Sequence, residues 1–206
     1  FTLEANTTVN LVVMVGKNPG QSVLIDDFSL QTNDGGIIEG GNPEQPEEPG
    51  DAILSETFAN GFGVFTPQDI TGTQAWYADT QYHYVKMSAY QQGSTYDNED
   101  WLVSPAVDLS KSRTLAFEQA FGPANKDMSN AAEIYTLWVS DNYSGDVATA
   151  TWTQVAIEYP SESGWTFVPT SVTLPATGKN AHFAFKYKNT ASDATLTWEI
   201  KNLTVK

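Results

Sequence analysis

The stretch AHFAFKYKN at residues 181–189 sets Phe183, Phe185 and Tyr187 in alternation with His182, Ala184 and Lys186. A two-residue period places the first three on one face of a β-strand and the other three on the opposite face. The run LTWEIKNLTV at 196–205 follows the same period and then breaks it. Trp198 and Ile200 share one parity, whereas Leu203 and Val205 fall on the other. One extra residue restores the register, so a bulge is expected at Lys201-Asn202.

Further runs of this kind precede these two: ILSETF at 53–58, YHYVKMSAY at 82–90, WLVSP at 101–105, TLAFEQAF at 114–121, EIYTLWVS at 133–140, TWTQVAIEY at 151–159 and WTFVPTSVTL at 165–174. Several are apolar on both parities, as IYTLWV is, which suits a central strand. No helical period persists beyond about two turns. Short β-rich runs separated by turn residues predict an all-β sandwich or barrel over 52–206. A segment of about 155 residues is long enough to bury roughly 70% of its unfolded surface in one core.

The composition changes at QTNDGGIIEGGNPEQPEEPGD, residues 31–51, where Gly, Pro and Glu44, Glu47 and Glu48 crowd together. Residues 32–51 read as an extended acidic linker; an ordered surface loop is the other reading. Upstream, TVNLVVMVG and SVLIDDFSL flank Lys17-Asn-Pro-Gly20 and predict a β-hairpin within 1–31. So short a piece buries no core of its own. It is expected to be the β tail of an upstream domain, or to dock on the sandwich.

Charge and composition remove whole classes of function. Ten basic against 25 acidic residues give a net charge of −15, which argues against nucleic acid and anionic membrane surfaces as partners. No apolar run is long enough to span a bilayer and no leader opens the chain, so it reads as a soluble, mature-looking segment. The absence of cysteine excludes disulfides, thiolate metal sites and a cysteine nucleophile. Imidazole chemistry would rest on His83 or His182, both inside β runs. There is no Gly-x-Ser-x-Gly elbow, no His-Glu-x-x-His and no phosphate loop. The chain is therefore not expected to be an enzyme.

Six tryptophans and nine tyrosines point towards carbohydrate, whose apolar ring faces stack on aromatic side chains. The candidates in expected loops are Trp76, Tyr77, Tyr90, Tyr96 and Tyr143, with Asp79, Gln91 and Gln92 nearby in sequence. Trp101, Trp138, Trp152 and Trp198 lie in expected strands and read as core or cross-strand residues. An exposed aromatic pair in a groove would separate binding from packing.

The order ILSETF, Trp76-Tyr77, EDWLVSPAVDLS at 99–110, TLAFEQAFG, EIYTLWVSDNYSGD, WTQV, WTFV, FAFKYK and TWEIKNLTV resembles the choice-of-anchor J or cleaved-adhesin domain. That family is a MAM-like jelly-roll sandwich, also termed concanavalin-like, of Bacteroidetes surface proteins. VLIDDFSL at 23–30 is similar to the last strand of jelly-roll carbohydrate-binding modules, with Asp26 and Asp27 in its Asp-Asp pair.

The resemblance implies a non-catalytic adhesion or glycan-associated module, one segment of a multidomain exported lipoprotein at the outer-membrane surface or outside the cell. Its implied partners are a glycan or host-surface ligand and the neighbouring domains. An architectural spacer is the alternative, and an accessory domain of a glycoside hydrolase a remoter one. The resemblance also implies calcium, mapped onto Glu56, Asp100 and Glu133, with Glu199 as an addition. Gly122-Pro123 stands where metal-binding members carry an aspartate, with Asp127 further along. The same carboxylates can equally serve as hydrogen-bonded strand ends.

Overall fold

A computed structural model describes residues 52–206; the hairpin expected over 1–31 and the linker expected over 32–51 lie outside the described residues. The first strands are β1 (Leu54–Glu56), β2 (Thr66–Thr71), β3 (Tyr77–Asp79), β4 (Tyr84–Met87), β5 (Tyr90–Gln91), β6 (Ser94–Thr95), β7 (Asn98–Val103), β8 (Val107–Leu109) and β9 (Arg113–Gly122). A single helical turn, α1 (Ala131–Ile134), leads into β10 (Tyr135–Ser140), β11 (Thr153–Val155), β12 (Gly164–Leu174), β13 (Gly178–Asn189) and β14 (Thr197–Val205).

Twelve of these strands form a β-sandwich of two antiparallel sheets, and β5 and β6 pair with each other as a separate hairpin. The first has the order β12-β9-β14-β4-β3, with β1 also on β14; the second has the order β11-β10-β13-β7-β2, with β8 also on β13. Their inner faces meet in an aromatic core. Phe117 of the first sheet packs edge-on against Phe185 of the second at 5.1 Å, and Phe121 meets Tyr135 at 5.0 Å. Phe183, Phe185 and Tyr187 are all fully buried, as their shared parity requires.

The register break in β14 falls where the alternation demands it. Lys201 pairs with Glu118 and Thr204 with Ala116, so Asn202 and Leu203 stand against Phe117 alone. Asn202 takes a left-handed conformation with φ of 50°, which asparagine tolerates better than most residues. The bulge turns Leu203 and Val205 back into the core, where both are fully buried.

Two runs end differently from expectation. Residues 131–134 of the segment leading into EIYTLWVS wind into α1, so Glu133 is exposed on a helical turn rather than opening a strand. TWTQVAIEY keeps only Thr153–Val155 in the ladder. Beyond it Ile157 is buried, and Tyr159 donates a hydrogen bond to the carbonyl of Tyr135. His83 also leaves its expected strand and occupies the β3–β4 turn with φ of 56°. The unexpected strand β2, TPQDIT, is an edge strand whose polar residues and Pro67 hide it from a hydrophobic pattern.

One polar side chain sits in the middle of the core. Gln119 is fully buried and uses both ends of its amide. Its Nε2 donates to the Glu158 carbonyl and to Thr170 Oγ1, each at 2.8 Å, while its Oε1 accepts from Trp198 Nε1 at 3.1 Å. Gln119→Leu keeps the volume but leaves the indole N–H without an acceptor. We expect a loss of about 1–3 kcal/mol in urea unfolding, and a smaller loss in a Trp198→Phe background because the orphaned donor is then gone.

Candidate ligand-binding site

The outward face of the first sheet is where large aromatic side chains meet solvent. Val85 and Met87 point into the core, so Tyr84 and Lys86 between them point out; Trp198 and Ile200 do the same for Glu199 and Lys201. On β3 the partly buried Ala78 packs on the core and Tyr77 faces solvent.

The edge strand β12 adds the largest ring. Gly164 pairs with Phe121 and Val168 with Gln119, so Trp165, Thr166 and Phe167 bulge out against Ala120 alone. This arch lays the Trp165 ring over Gly122. A Cβ at Gly122 would lie 2.1 Å from Trp165 Cη2, so the indole rests where any other residue would place its side chain. The hairpin β5–β6 brings in Tyr90. Its two turn residues, Gln92 and Gly93, both have positive φ, at 50° and 91°, as tight two-residue hairpins require.

Trp165, Tyr77 and Tyr90 are 54%, 57% and 59% exposed. They line an open cleft of about 480 Å³ together with Gln74, Gln91, Lys86, Ser88 and Thr197. The aromatic surface continues past the cleft. Tyr84 stacks on Tyr82 with ring centroids 6.4 Å apart and meets Phe167 at 6.1 Å. Lys86 Nζ lies 5.3 Å from the Tyr77 ring and 5.5 Å from that of Tyr84, and Lys201 Nζ lies 4.0 Å from that of Phe167. Such contacts hold the ammonium groups in place over the rings.

Glu199 lies beneath this layer and is almost fully buried. Burial pushes its carboxyl pKa up, against the opposing pull of Lys86 and a hydrogen bond from Tyr84. Burial, helped by the charges of Glu199 and Asp79, raises the Tyr84 phenol to about 12, so it remains a neutral donor at physiological pH.

The expected binding residues are thereby divided. Tyr77 and Tyr90 come together at the cleft, and Gln91 joins them. Trp76 is a correction: it has the inward parity of β3, is only 4% exposed, and packs on Trp198 at 5.9 Å. Tyr96 lies apart, in a shallow groove with Thr71, Gly72 and Asp97. Tyr143 is half-buried against Trp152 at 5.7 Å and His182 at 4.8 Å, and its hydroxyl accepts from Gln68 Nε2. Trp165, Tyr84 and Phe167 were not among the expected residues. Their signal was an aromatic residue at a parity otherwise given to polar side chains.

The four carboxylates considered for calcium do not assemble, and no group of three acidic or histidine side chains suited to a metal occurs among the described residues. Glu56 instead accepts the backbone N–H groups of Phe58 at 2.7 Å and Val64 at 3.2 Å. A Cβ at Gly63 would overlap that carboxylate. Glu133 is exposed on α1, and Glu199 belongs to the aromatic face. These residues do not fit a shared cation.

Asp100 is fully buried and accepts a hydrogen bond from Asn98 Nδ2. Burial, then the adjacent Asp69 with which it pairs across β2 and β7, pushes its carboxyl up to about 9. Asp100 Oδ1 is buried without a hydrogen-bond partner, which likewise favours the neutral, protonated form of this carboxyl. The sign of the linkage follows. The unfolded chain releases this proton near pH 4 and the folded chain near pH 9, so stability falls as pH rises through that interval. Urea unfolding at pH 5 and pH 8 should show higher stability at pH 5. Asp100→Asn should flatten most of the difference; an unchanged slope in the variant would show that the proton is not held there.

No protein-family model and no curated protein matches this sequence. Solved structures do resemble it. The K2 cleaved adhesin domain of Lys-gingipain superposes with a TM-score of 0.55 at 15% identity, covering 74% of this chain and 98% of that domain. The K3 cleaved adhesin domain of Lys-gingipain from Porphyromonas gingivalis gives 0.51 at 16% identity, covering 75% and 96%. The chain therefore has the fold of a cleaved adhesin domain.

Proposed function

We propose that this chain is a non-catalytic binding module of an exported bacterial protein, and that it captures carbohydrate on the outward face of its first sheet. The observation that carries the reading is the cleft between Trp165, Tyr77 and Tyr90, three aromatic side chains each more than half exposed. Rings this large stay in water at a cost, and clustering them around a groove is what a ligand with flat apolar faces repays. A sugar ring has such faces and carries hydroxyls around its edge. Gln74, Gln91, Lys86, Ser88 and Thr197 line the same cleft and supply donors and acceptors for that edge.

The cleft is open rather than a deep socket, which suits an oligosaccharide lying along the sheet. The likeness to cleaved adhesin domains supports an adhesive setting at the cell surface or outside the cell. The test is a glycan array probed with the whole chain, followed by titration of the best ligand against Tyr77→Ala and Tyr90→Ala. Binding weakened by both substitutions supports the site. No glycan bound, or affinity unaffected by either, would overturn it and favour a spacer that only contacts neighbouring domains.

A further inference from the structure

Beside the aromatic cleft lies a second, more enclosed pocket of about 600 Å³. The two adjoin, since Ser88, Tyr90 and Thr197 line both. Beyond those shared residues the second pocket is walled by Pro123, Ala194 and Leu196, with Thr95, Thr195, Lys126 and Asp127 as its polar members. Its wall is mostly apolar, with hydroxyl groups where it meets the cleft and also at Thr95 and Thr195.

This lining discriminates between sugars. A ring seated between Tyr77 and Trp165 can extend a substituent into the second pocket, because Ser88, Tyr90 and Thr197 border both; an unsubstituted ring has only hydroxyls to offer there. A hydroxyl alone would leave the apolar wall of Pro123, Ala194 and Leu196 uncovered. A substituent ending in a methyl group gains from burial against it. An acetamido group suits both parts: its methyl reaches the apolar wall, while the Ser88 and Thr197 hydroxyls can donate to its carbonyl and accept from its N–H.

We infer that the ligand is a glycan containing an N-acetylated amino sugar, its ring on the Tyr77–Trp165 cleft and its acetamido group in the adjoining pocket. The inference rests on the glycan-binding reading and narrows it to one class of sugar.

The test is calorimetric titration of the full chain with an N-acetylglucosamine hexamer, its de-N-acetylated counterpart and a β-1,4-glucose hexamer. These share a linkage and differ at the 2-substituent. The acetylated oligomer should bind at least about tenfold more tightly than either of the others. Ala194 is an exposed residue of the pocket wall, and Ala194→Trp fills that space; the preference should then fall to near unity. Equal affinities for the three hexamers, or binding confined to unacetylated ones, would overturn the inference and leave the glycan site standing. A preference that survives Ala194→Trp would overturn the assignment to this pocket. Failure of all three hexamers together with an empty glycan array would instead remove the reading on which the inference rests.

Discussion

Trp165→Ala is expected to weaken capture of carbohydrate sharply while the sandwich stays folded. The indole is the largest exposed ring at the cleft, it is held flat over Gly122, and it comes from a bulge outside the regular ladder. Centrally placed tryptophans of this kind are typical hot spots, where truncation costs about 2 kcal/mol or more. That corresponds to a roughly 30-fold loss of affinity. Because the side chain is 54% exposed, stability should change by no more than about 0.5 kcal/mol. Titration of the variant, paired with urea unfolding, reads both quantities. Retained affinity would move the binding site away from this face, and a large loss of stability would make Trp165 a packing residue instead.

The second large effect belongs to the other kind of tryptophan. Trp198 is fully buried at the centre of the aromatic core. It stacks on Phe121 at 6.1 Å with the rings 11° apart, and meets Phe185 at 5.6 Å, Tyr135 at 5.7 Å and Trp76 at 5.9 Å. Trp198→Ala opens a cavity among rings that cannot all collapse into it, at a cost of about 3–5 kcal/mol. It also deprives the buried Gln119 Oε1 of its donor. Small domains have only about 5–15 kcal/mol in total, so the variant should unfold at a much lower urea midpoint, or fail to accumulate. Trp198→Phe keeps one ring of the stack and should lose clearly less. Equal losses in the two variants would show that the indole N–H, rather than packing, dominates at this position.

The sandwich was legible in the sequence because burial imposes a period of two on every strand with one inward face. AHFAFKYKN displays that period without interruption, and the parity break in TWEIKNLTV located the bulge at Asn202. Legibility failed where burial does not decide the backbone. β2 lies at a sheet edge with polar side chains, and α1 is held by only one turn of local hydrogen bonds. The proposed binding face was half legible for the same reason. Tyr77 and Tyr90 stood in expected loops, whereas Trp165 and Phe167 sat inside WTFVPTSVTL, which reads as an ordinary strand. The parity of Val168, Thr170, Val172 and Leu174 already assigns those two rings to the outside. Trp76 shows the converse: an expected loop put it with Tyr77 among the candidates, whereas Tyr77 opens β3 and neighbours in a strand point to opposite sheet faces.

The β12 bulge also affects how the molecule behaves in a crowd. β12 is the margin of its sheet, and a long, regular margin strand would offer a row of amides to any passing strand. Between Gly164 and Val168 that row is interrupted by the same three residues that display the rings. The chain thus combines its stickiest side chains with the stretch of edge least able to template a fibril, so that adhesiveness towards a ligand need not become adhesiveness towards copies of itself.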